Sequence, residues 1–294
     1  MAATPRESIS MNKDKIVGLF RLFRFELSFT AGACVLLGEL LALGSLPSLS
    51  QAAFGFLSFF FISATALILN DYFDIETDRI NAPSRPLPAG LVTKAEVVVL
   101  AIIVALLGFF FSSMIGVGAF VIVFLVWITG VLYNWRLKKS GLLGNLFVGF
   151  SVAMTFIFGG IVVGNPFEEI VWYLAITTML VDLGEEIAAD SLDVEGDRKA
   201  GSRSLAVLFG PRKAMRIAAS VFGIVVAGSA APFIFGWLEW YYLSPIAIFD
   251  IIVIFSARNL LDIQIPNRIN DIRRIYLAGL GMIVALMIIK LATT

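Results

Sequence analysis

Acidic residues recur in this chain with one spacing at two places, and both places follow long apolar stretches. The first copy consists of Asp71, Asp74, Glu76, Asp78 and Arg79. The second copy, 119 residues later, has the same residue type at each position: Asp190, Asp193, Glu195, Asp197 and Arg198. A duplicated charged pattern separated by four apolar stretches predicts a parallel internal repeat, with both copies on the same side of a membrane.

Helical spacing aligns the oxygen-bearing side chains within each copy. Residues three or four positions apart share a helix face, so the first copy groups Asn70, Asp74 and Asp78. The second copy gives a longer row, formed by Glu186, Asp190, Asp193 and Asp197. Carboxylates stacked in this way repel one another, and they are costly at membrane depth unless a partner neutralises them.

A divalent cation is the partner that fits this arrangement. Mg²⁺ takes oxygen ligands, commonly one or two carboxylates completed by water and substrate phosphate. We expect two or more Mg²⁺ ions around a diphosphate, with candidate metal ligands Asn70, Asp71, Asp74, Asp78, Asp190, Asp193 and Asp197. The basic residues expected to neutralise the remaining phosphate charge are Arg79, Arg85, Lys138, Arg198 and Arg203.

A plainer interpretation makes these residues solvated charges at helix ends. The duplication argues against it, and so do Asp182, Glu185 and Glu186, which fall inside an apolar stretch.

Composition places these motifs in a membrane protein. Of the 294 residues 59% are hydrophobic and only 15% charged, with a mean hydropathy of +0.92, far from the values typical of soluble domains. The absence of histidine excludes Ser-His and Cys-His catalysis and His-ligated zinc. The single Cys34 forms no internal disulfide, and the zero net charge gives no sign of a nucleic-acid partner.

Apolar stretches long enough to cross a bilayer predict an all-α, polytopic fold with nine transmembrane helices. They lie near residues 22–43, 52–72, 97–114, 117–135, 141–164, 169–189, 216–235, 240–257 and 275–293. Ser112, Ser113, Gly116 and Gly118 predict a tight turn between the third and fourth stretches. Residues 258–274 are expected to form the longest late loop, with a short interfacial helix, and residues 1–15 a flexible N-terminal segment of one transmembrane domain.

The distribution of basic residues predicts the orientation. All 22 Lys and Arg residues except Lys290 fall in the N-terminal segment or in alternate loops, and cytoplasmic segments collect such residues. We therefore expect an integral protein of the cell membrane whose N-terminus and acidic motifs are cytoplasmic.

At this point the chain resembles the UbiA superfamily of intramembrane prenyltransferases over nearly its whole length. NDYFDIETDRINAPSRPLPAG is similar to the first family signature, and DSLDVEGDRKAGSRSL followed by VLFG is similar to the second. LYNWRLKKSGLLGN resembles a third family region that supplies a Tyr and a Lys. The resemblance implies nine helices around a central cavity that opens to lipid under a cytoplasmic cap.

The resemblance also implies residue roles. Asn70, Asp74 and Asp78 match one metal and diphosphate set, and Asp190, Asp193 and Asp197 match the other. The remaining matches are Glu186, where relatives often carry Asp, the diphosphate-contacting pair Tyr133 and Lys138, and Arg85 in a loop that closes over the site.

The expected reaction is Mg²⁺-dependent transfer of a prenyl group, with geranylgeranyl preferred, from an isoprenoid diphosphate to a lipophilic acceptor. Metal-assisted ionisation produces an allylic cation in a water-free pocket, and Asp193 or the diphosphate takes the acceptor's proton. The rival from another class is a cation transporter. Transporters commonly place ion sites at the midplane of inverted repeats, unlike the parallel motifs here.

The residue at sequence position 63 predicts the class of acceptor. Relatives that prenylate 4-hydroxybenzoate carry an Arg seven residues before the motif Asn, where this chain has Ser63. The first motif is most similar to the branch that builds the second ether link of archaeal lipids, which favours geranylgeranylglyceryl phosphate. Aromatic or quinone precursors and chlorophyll-type acceptors stay open, because Glu185 and Ala189 stand where that branch is expected to have Arg and Lys. Possible substitutes for those basic residues are Arg21, Arg24 and Lys139.

Overall fold

The structure is a computed structural model that describes residues 5–262 and 264–293. The described residues are helical almost throughout. The first half of the chain forms α1 Pro5–Leu22, α2 Phe25–Leu43, α3 Leu49–Phe73, α4 Ile75–Asn81, α5 Lys94–Ile115 and α6 Val117–Trp135. After a 3-10 turn, Leu137–Ser140, come α7 Leu142–Val162, α8 Glu169–Leu192, α9 Val194–Ala200, α10 Leu205–Phe209, α11 Pro211–Gly228 and α12 Ala231–Ile234. A second 3-10 turn, Trp240–Tyr242, precedes α13 Leu243–Leu261 and α14 Ile269–Thr293.

Eight segments of the described chain are long and apolar enough to cross a membrane. They are Phe25–Leu43, Leu49–Phe73, Lys94–Ile115, Val117–Trp135, Leu142–Val162, Pro211–Ile234, Trp240–Leu261 and Ile269–Thr293. α8 has sufficient length, but it contains Asp182, Glu185 and Glu186. The all-α polytopic fold class is confirmed, and the count of nine spans stays a prediction.

Two details of the helix boundaries matter for the sequence interpretation. The predicted turn between α5 and α6 is confirmed, with Gly116 at a φ of 152°. The predicted long loop over residues 258–274 is wrong, because α13 continues to Leu261 and α14 already begins at Ile269. Both helices extend past their apolar runs into polar sequence, and no short interfacial helix lies between them among the described residues.

By internal packing the chain divides into two compact units. The first unit comprises residues up to 32 and 54–135, and the second comprises residues 33–53 and those from 136 onwards. The predictions of a single domain and of a flexible segment over residues 1–15 stay predictions. Residues 1–4 lie outside the described chain, and α1 begins directly after them.

The first unit has a core of aliphatic side chains from α1, α3, α5 and the loop before α5. Its buried members include Leu22, Ile68, Leu87, Val92 and Val97. α5 begins with a capping box, in which the Thr93 hydroxyl accepts from the Glu96 N–H and the Glu96 carboxylate accepts from the Thr93 N–H. This cap fixes the start of α5 and thereby the loop that carries Arg85.

The second unit relies on close approach of helix backbones. A Cβ atom added to Gly38 on α2 would lie 2.5 Å from the Phe156 carbonyl oxygen on α7, and one added to Gly159 on α7 would lie 2.4 Å from the Val35 carbonyl oxygen. Small residues at such contacts let membrane helices approach closely and pack by van der Waals attraction. This packing matters because the hydrophobic effect does not drive helices together in lipid.

We expect Gly159→Ala to destabilise the protein by about 1–3 kcal/mol, because the added methyl group meets backbone atoms that cannot move aside. Thermal unfolding in detergent measures the effect. The matched control is Gly223→Ala on α11, where no atom lies within 4 Å of the added group and the helix should be unchanged or slightly stabilised. Equal melting temperatures for the two variants would contradict the packing described.

Candidate active site

The first acidic motif lies where α3 ends and α4 begins. Asp74 occupies the junction with φ −89° and ψ 5°. Helical hydrogen bonds nevertheless cross it, because the Asp74 N–H donates to the Asn70 carbonyl at 2.9 Å and the Asp78 N–H donates to the Asp74 carbonyl at 2.8 Å. The i to i+4 register is therefore kept, and the predicted common face of Asn70, Asp74 and Asp78 is confirmed.

Two arginines neutralise the buried carboxylates of this motif. Asp71 and Asp78 are only 2% and 5% exposed. Arg24 donates to Asp71, while Arg85 lies 2.6 Å from an Asp78 oxygen and 3.6 Å from an Asp71 oxygen. Arg24 adopts a left-handed backbone conformation, φ 42°, which is uncommon outside glycine and is typical of a residue held by its contacts. The network fixes Arg85 beside the motif, as its expected role requires.

Asn70 is oriented by a second amide. Its Oδ1 accepts from Arg24 at 3.4 Å, and its Nδ2 donates to Asn134 Oδ1 at 3.1 Å. Asn134 donates in turn to the carbonyls of Ala66 and Gly130 at 3.0 Å each. Sequence reasoning missed Asn134, although an amide at the end of the uncharged run over α6 was an available signal. The adjacent Tyr133 is half-buried on the same helix.

Arg79 stands apart from this network. It pairs with Glu76 at 3.0 Å across one helical turn, and the two side chains are 58% and 74% exposed. Exposed pairs of this kind contribute little. Of the predicted basic residues in the first unit, the structure brings Arg85 to the carboxylates and leaves Arg79 on the surface.

The second motif repeats the helix break at the equivalent residue. α8 ends at Leu192, and Asp193 caps α9 by accepting from the Gly196 N–H at 3.3 Å. The Asp197 N–H donates to the Asp193 carbonyl at 3.0 Å. The two copies thus share a local fold, with Asp74 and Asp193 at the junctions. This supports the predicted repeat.

Neutral side chains donate hydrogen bonds to the carboxylates of the second motif. Asp190 accepts from Asn145 on α7 at 3.2 Å. Burial raises the pKa of Asp197 above its usual value, a hydrogen bond with Ser204 lowers it, and the charge of Asp193 raises it again. Asp197 Oδ2 is buried without a hydrogen-bond partner. Such an oxygen has room for a further partner, which a water molecule or a cation can provide.

The 3-10 turn after α6 carries Lys138 to this motif. The Arg203 N–H donates to the Lys139 carbonyl at 3.0 Å. Gly141, at φ 69°, allows the close approach, because a Cβ there would lie 2.0 Å from the Arg203 carbonyl oxygen. Lys138 acts electrostatically on Asp197 and Glu186. The predicted Lys138 and Arg203 therefore lie on adjoining segments, and both are exposed, as is Arg198 on α9.

Further carboxylates continue along α8 beyond the motif. Asp182, Glu186 and Asp190 follow at four-residue intervals. Asp182 Oδ2 and Glu185 Oε1 are buried and lack hydrogen-bond partners. A Cβ added to Gly149 on α7 would lie 3.6 Å from Asp182 Oδ2, so Asp182 and Asp190 both face α7.

These residues fit Mg²⁺ as a cofactor shared with substrate. Among the described residues no three acidic, His or Cys side chains converge enough to enclose a metal ion. Mg²⁺ usually binds through one or two carboxylates plus phosphate oxygens and water, so a closed cage is not needed. Asp193 and Asp197, with the unpartnered Asp197 oxygen, form a donor set of this open type.

The fold and these two motifs define a polytopic membrane protein with paired acidic helix junctions suited to cations and phosphates. The UbiA prenyltransferase family matches residues 31–278, and the chain belongs to this family. It is therefore a membrane-embedded prenyltransferase, as its motifs predicted.

Several relatives extend this comparison. The digeranylgeranylglyceryl phosphate synthase of Pyrococcus furiosus is 34% identical over 248 residues, which are 84% of this chain and 88% of the relative. A solved structure of a digeranylgeranylglyceryl phosphate synthase shares 29% identity, covers 93% of this chain and 98% of its own, and has a TM-score of 0.75. A UbiA homolog from Archaeoglobus fulgidus, bound to GPP and Mg²⁺, has the same fold at 20% identity and a TM-score of 0.66, covering 92% and 99% of the two chains.

We expect Arg24→Gln to lower the free energy of unfolding by about 3 kcal/mol, because it leaves the buried Asp71 with only the longer contact to Arg85. Arg79→Gln, which breaks an exposed pair, should cost less than about 1 kcal/mol. Thermal unfolding of both variants in detergent measures the difference. Adding Asp71→Asn to Arg24→Gln should recover part of the loss, and a purely additive double variant would contradict the pairing.

Proposed function

We propose that this chain transfers a geranylgeranyl group from geranylgeranyl diphosphate to geranylgeranylglyceryl phosphate, with Mg²⁺ as cofactor. The observation that carries the proposal is the acidic helix junction found twice, at Asp74 and at Asp193. The name shared by the relatives and the GPP and Mg²⁺ bound by the Archaeoglobus fulgidus homolog support the substrate class.

The reaction exchanges one carbon–oxygen bond for another. The bond between the allylic carbon and the diphosphate breaks, and the diphosphate leaves with the electron pair. The acceptor hydroxyl oxygen then bonds to that carbon, and its proton passes to Asp193 or to the diphosphate. Mg²⁺ would supply positive charge for the leaving diphosphate and would be held by Asp74 and Asp78 of the first motif and by Asp190, Asp193 and Asp197 of the second.

The chain's own basic residues share the work of binding the diphosphate. Arg85 is fixed by Asp71 and Asp78, so its guanidinium reaches phosphate oxygens without a large loss of side-chain entropy. Lys138 and Arg203 supply charge on the adjoining segments of the second unit, and Tyr133 supplies a hydroxyl donor. Asp71, which is contacted by both Arg24 and Arg85, is assigned a positioning role rather than direct metal ligation.

We expect Asp193→Asn and Asp74→Asn each to reduce turnover at least 100-fold, in the range that electrostatic groups at an active site commonly supply. Asn retains an oxygen that can cap α9 at position 193, so folding should be preserved. The controls are Glu195→Gln and Glu76→Gln, which alter exposed charges of the same motifs. Product formation by all four variants, measured with radiolabelled donor, is the readout. Near-normal turnover of both Asp variants would refute the assignment.

α3 has no arginine at position 63, and this bears on the choice of acceptor. Ser63 lies half-buried on α3, where relatives that bind 4-hydroxybenzoate carry an Arg. A hydroxyl cannot replace a bidentate guanidinium for a buried carboxylate. Two of the basic residues considered for the acceptor phosphate are already engaged, since Arg24 binds Asp71 and Arg21 donates to the Ser84 carbonyl at 3.0 Å. Lys139 is the remaining candidate.

We expect geranylgeranylglyceryl phosphate to be prenylated at least about 30-fold faster than 4-hydroxybenzoate at equal concentration. This ratio corresponds to the loss of a charge-assisted pair of roughly 2 kcal/mol. Competition of the two acceptors for geranylgeranyl diphosphate, with products separated by mass spectrometry, gives the ratio. Equal use of both acceptors would favour an aromatic or quinone substrate instead.

We further propose that the chain is an integral protein of the cell membrane, with its N-terminus and both motifs on the cytoplasmic side. The support is the positive-inside distribution, in which Lys290 is the single basic residue outside the N-terminal segment and the alternate loops.

A further inference from the structure

The second unit contains a cavity of about 420 Å³ on the side of α8 that faces α11. Its lining comes from α8, α11, the end of α13 and the segment before α14: Ser191, Pro211, Arg212, Met215, Arg216, Leu260, Leu261 and Arg268. The carboxylates of α8 lie elsewhere on that helix, because Asp190 bonds to Asn145 on α7. The cavity is thus separate from the acidic residues assigned to the reaction.

The cavity is strongly cationic. Three of its lining residues are arginines, and no Asp or Glu lies among the described lining residues. Arg212 and Arg216 are one turn apart at the N-terminal end of α11, where like charges repel and the helix dipole adds positive potential. Arg268 is anchored by donating to the Leu260 carbonyl at 3.0 Å. The arrangement brings three positive charges to one cavity and presents guanidinium groups suited to phosphate.

The position of the cavity along the membrane-spanning helices indicates that the anion is a lipid headgroup. Pro211 is the first residue of one candidate span, Leu261 is the last of another, and Arg268 directly precedes a third. The ends of spans lie at the headgroup level of a bilayer. Basic pockets between membrane helices at this level bind anionic headgroups.

The remaining lining residues are suited to an amphiphile. Met215 and Leu260 form a buried apolar wall, while Leu261 is 47% exposed at the mouth. Ile217 and Ile254 continue the exposed apolar surface along α11 and α13. A free phosphate ion would contact only the arginines. A lipid would contact the arginines with its headgroup and the apolar surface with its chains.

We propose that this cavity binds the phosphate headgroup of an anionic glycerol phospholipid, whose chains lie along α11 and α13. Detergent-purified, delipidated protein is the material for the test. Native mass spectrometry measures adducts with phosphatidylglycerol and, for comparison, with zwitterionic phosphatidylcholine. We expect binding of phosphatidylglycerol to exceed that of phosphatidylcholine, and Arg212→Gln/Arg216→Gln to weaken it roughly 30-fold, as expected for two basic residues near a membrane surface.

The matched control is Lys213→Gln/Arg273→Gln, which removes the same charge from exposed positions on α11 and α14 that do not line the cavity. It should bind phosphatidylglycerol as the unaltered protein does. Equal weakening in both double variants, or equal binding of the two lipids, would overturn the proposal. So would soluble glycerol phosphate that binds as tightly as the lipid, which would identify a free phosphate ester as the ligand.

A last outcome concerns the proposed acceptor, which is itself a glycerol phosphate lipid. A raised KM for geranylgeranylglyceryl phosphate with unchanged phosphatidylglycerol binding would assign the arginines to the acceptor and overturn the proposal. Lipid binding measured by native mass spectrometry needs no catalysis. Loss of headgroup binding can therefore be distinguished from failure of the proposed reaction. Melting temperatures of both double variants without added lipid should match, since the substituted residues are exposed on the helix surface.

Discussion

Negative charge at the ends of membrane helices has to be neutralised, and the local structure around both motifs follows from how this is done. In the first motif, arginine side chains of the chain itself neutralise the carboxylates. Asp71 and Asp78 are almost fully buried. Asp71 pairs with Arg24 and Arg85, and Asp78 pairs with Arg85. Losing one partner of such a pair leaves a buried charge without compensation. The turn between α1 and α2 and the loop before α5, which carry the two arginines, are therefore tied to the motif.

The second motif has a different set of described partners. Asn145 and Ser204 provide neutral hydrogen bonds to Asp190 and Asp197, but one Asp197 oxygen is buried without a partner. The charge of Lys138 also favours the ionised form of Asp197. Two copies of one sequence pattern thus differ in their electrostatics. The first motif holds its two arginines in ion pairs, while the second keeps one Asp197 oxygen buried without a hydrogen-bond partner.

The sequence predicted the features that depend on spacing along one helix. Apolar length located the spans, and the four-residue interval placed Asn70, Asp74 and Asp78 on one face. It did not predict the helix breaks at Asp74 and Asp193, because periodicity assumes a continuous helix. At Asp193 the side chain caps the following helix by accepting from the Gly196 N–H, whereas the Asp74 side chain makes no such bond. Contacts between distant helices were also inaccessible. Arg24 was considered for the acceptor, yet it binds Asp71, 47 positions away. Asn134 and Asn145 lie within LYNWRLKKSGLLGN, but their partners Asn70 and Asp190 are 64 and 45 positions away, so the motif did not predict these contacts.

The central claim is that these carboxylates bind a divalent cation together with the substrate diphosphate. Mn²⁺ can replace Mg²⁺ as a paramagnetic probe, and electron–nuclear double resonance detects phosphorus nuclei bound to it. Purified protein with Mn²⁺ and an unreactive thiolo analogue of geranylgeranyl diphosphate is the sample. We predict bound Mn²⁺ with phosphorus hyperfine coupling, lost in the Asp193→Asn variant. Mn²⁺ that stays free in solution, or that binds without phosphorus coupling, would contradict the account.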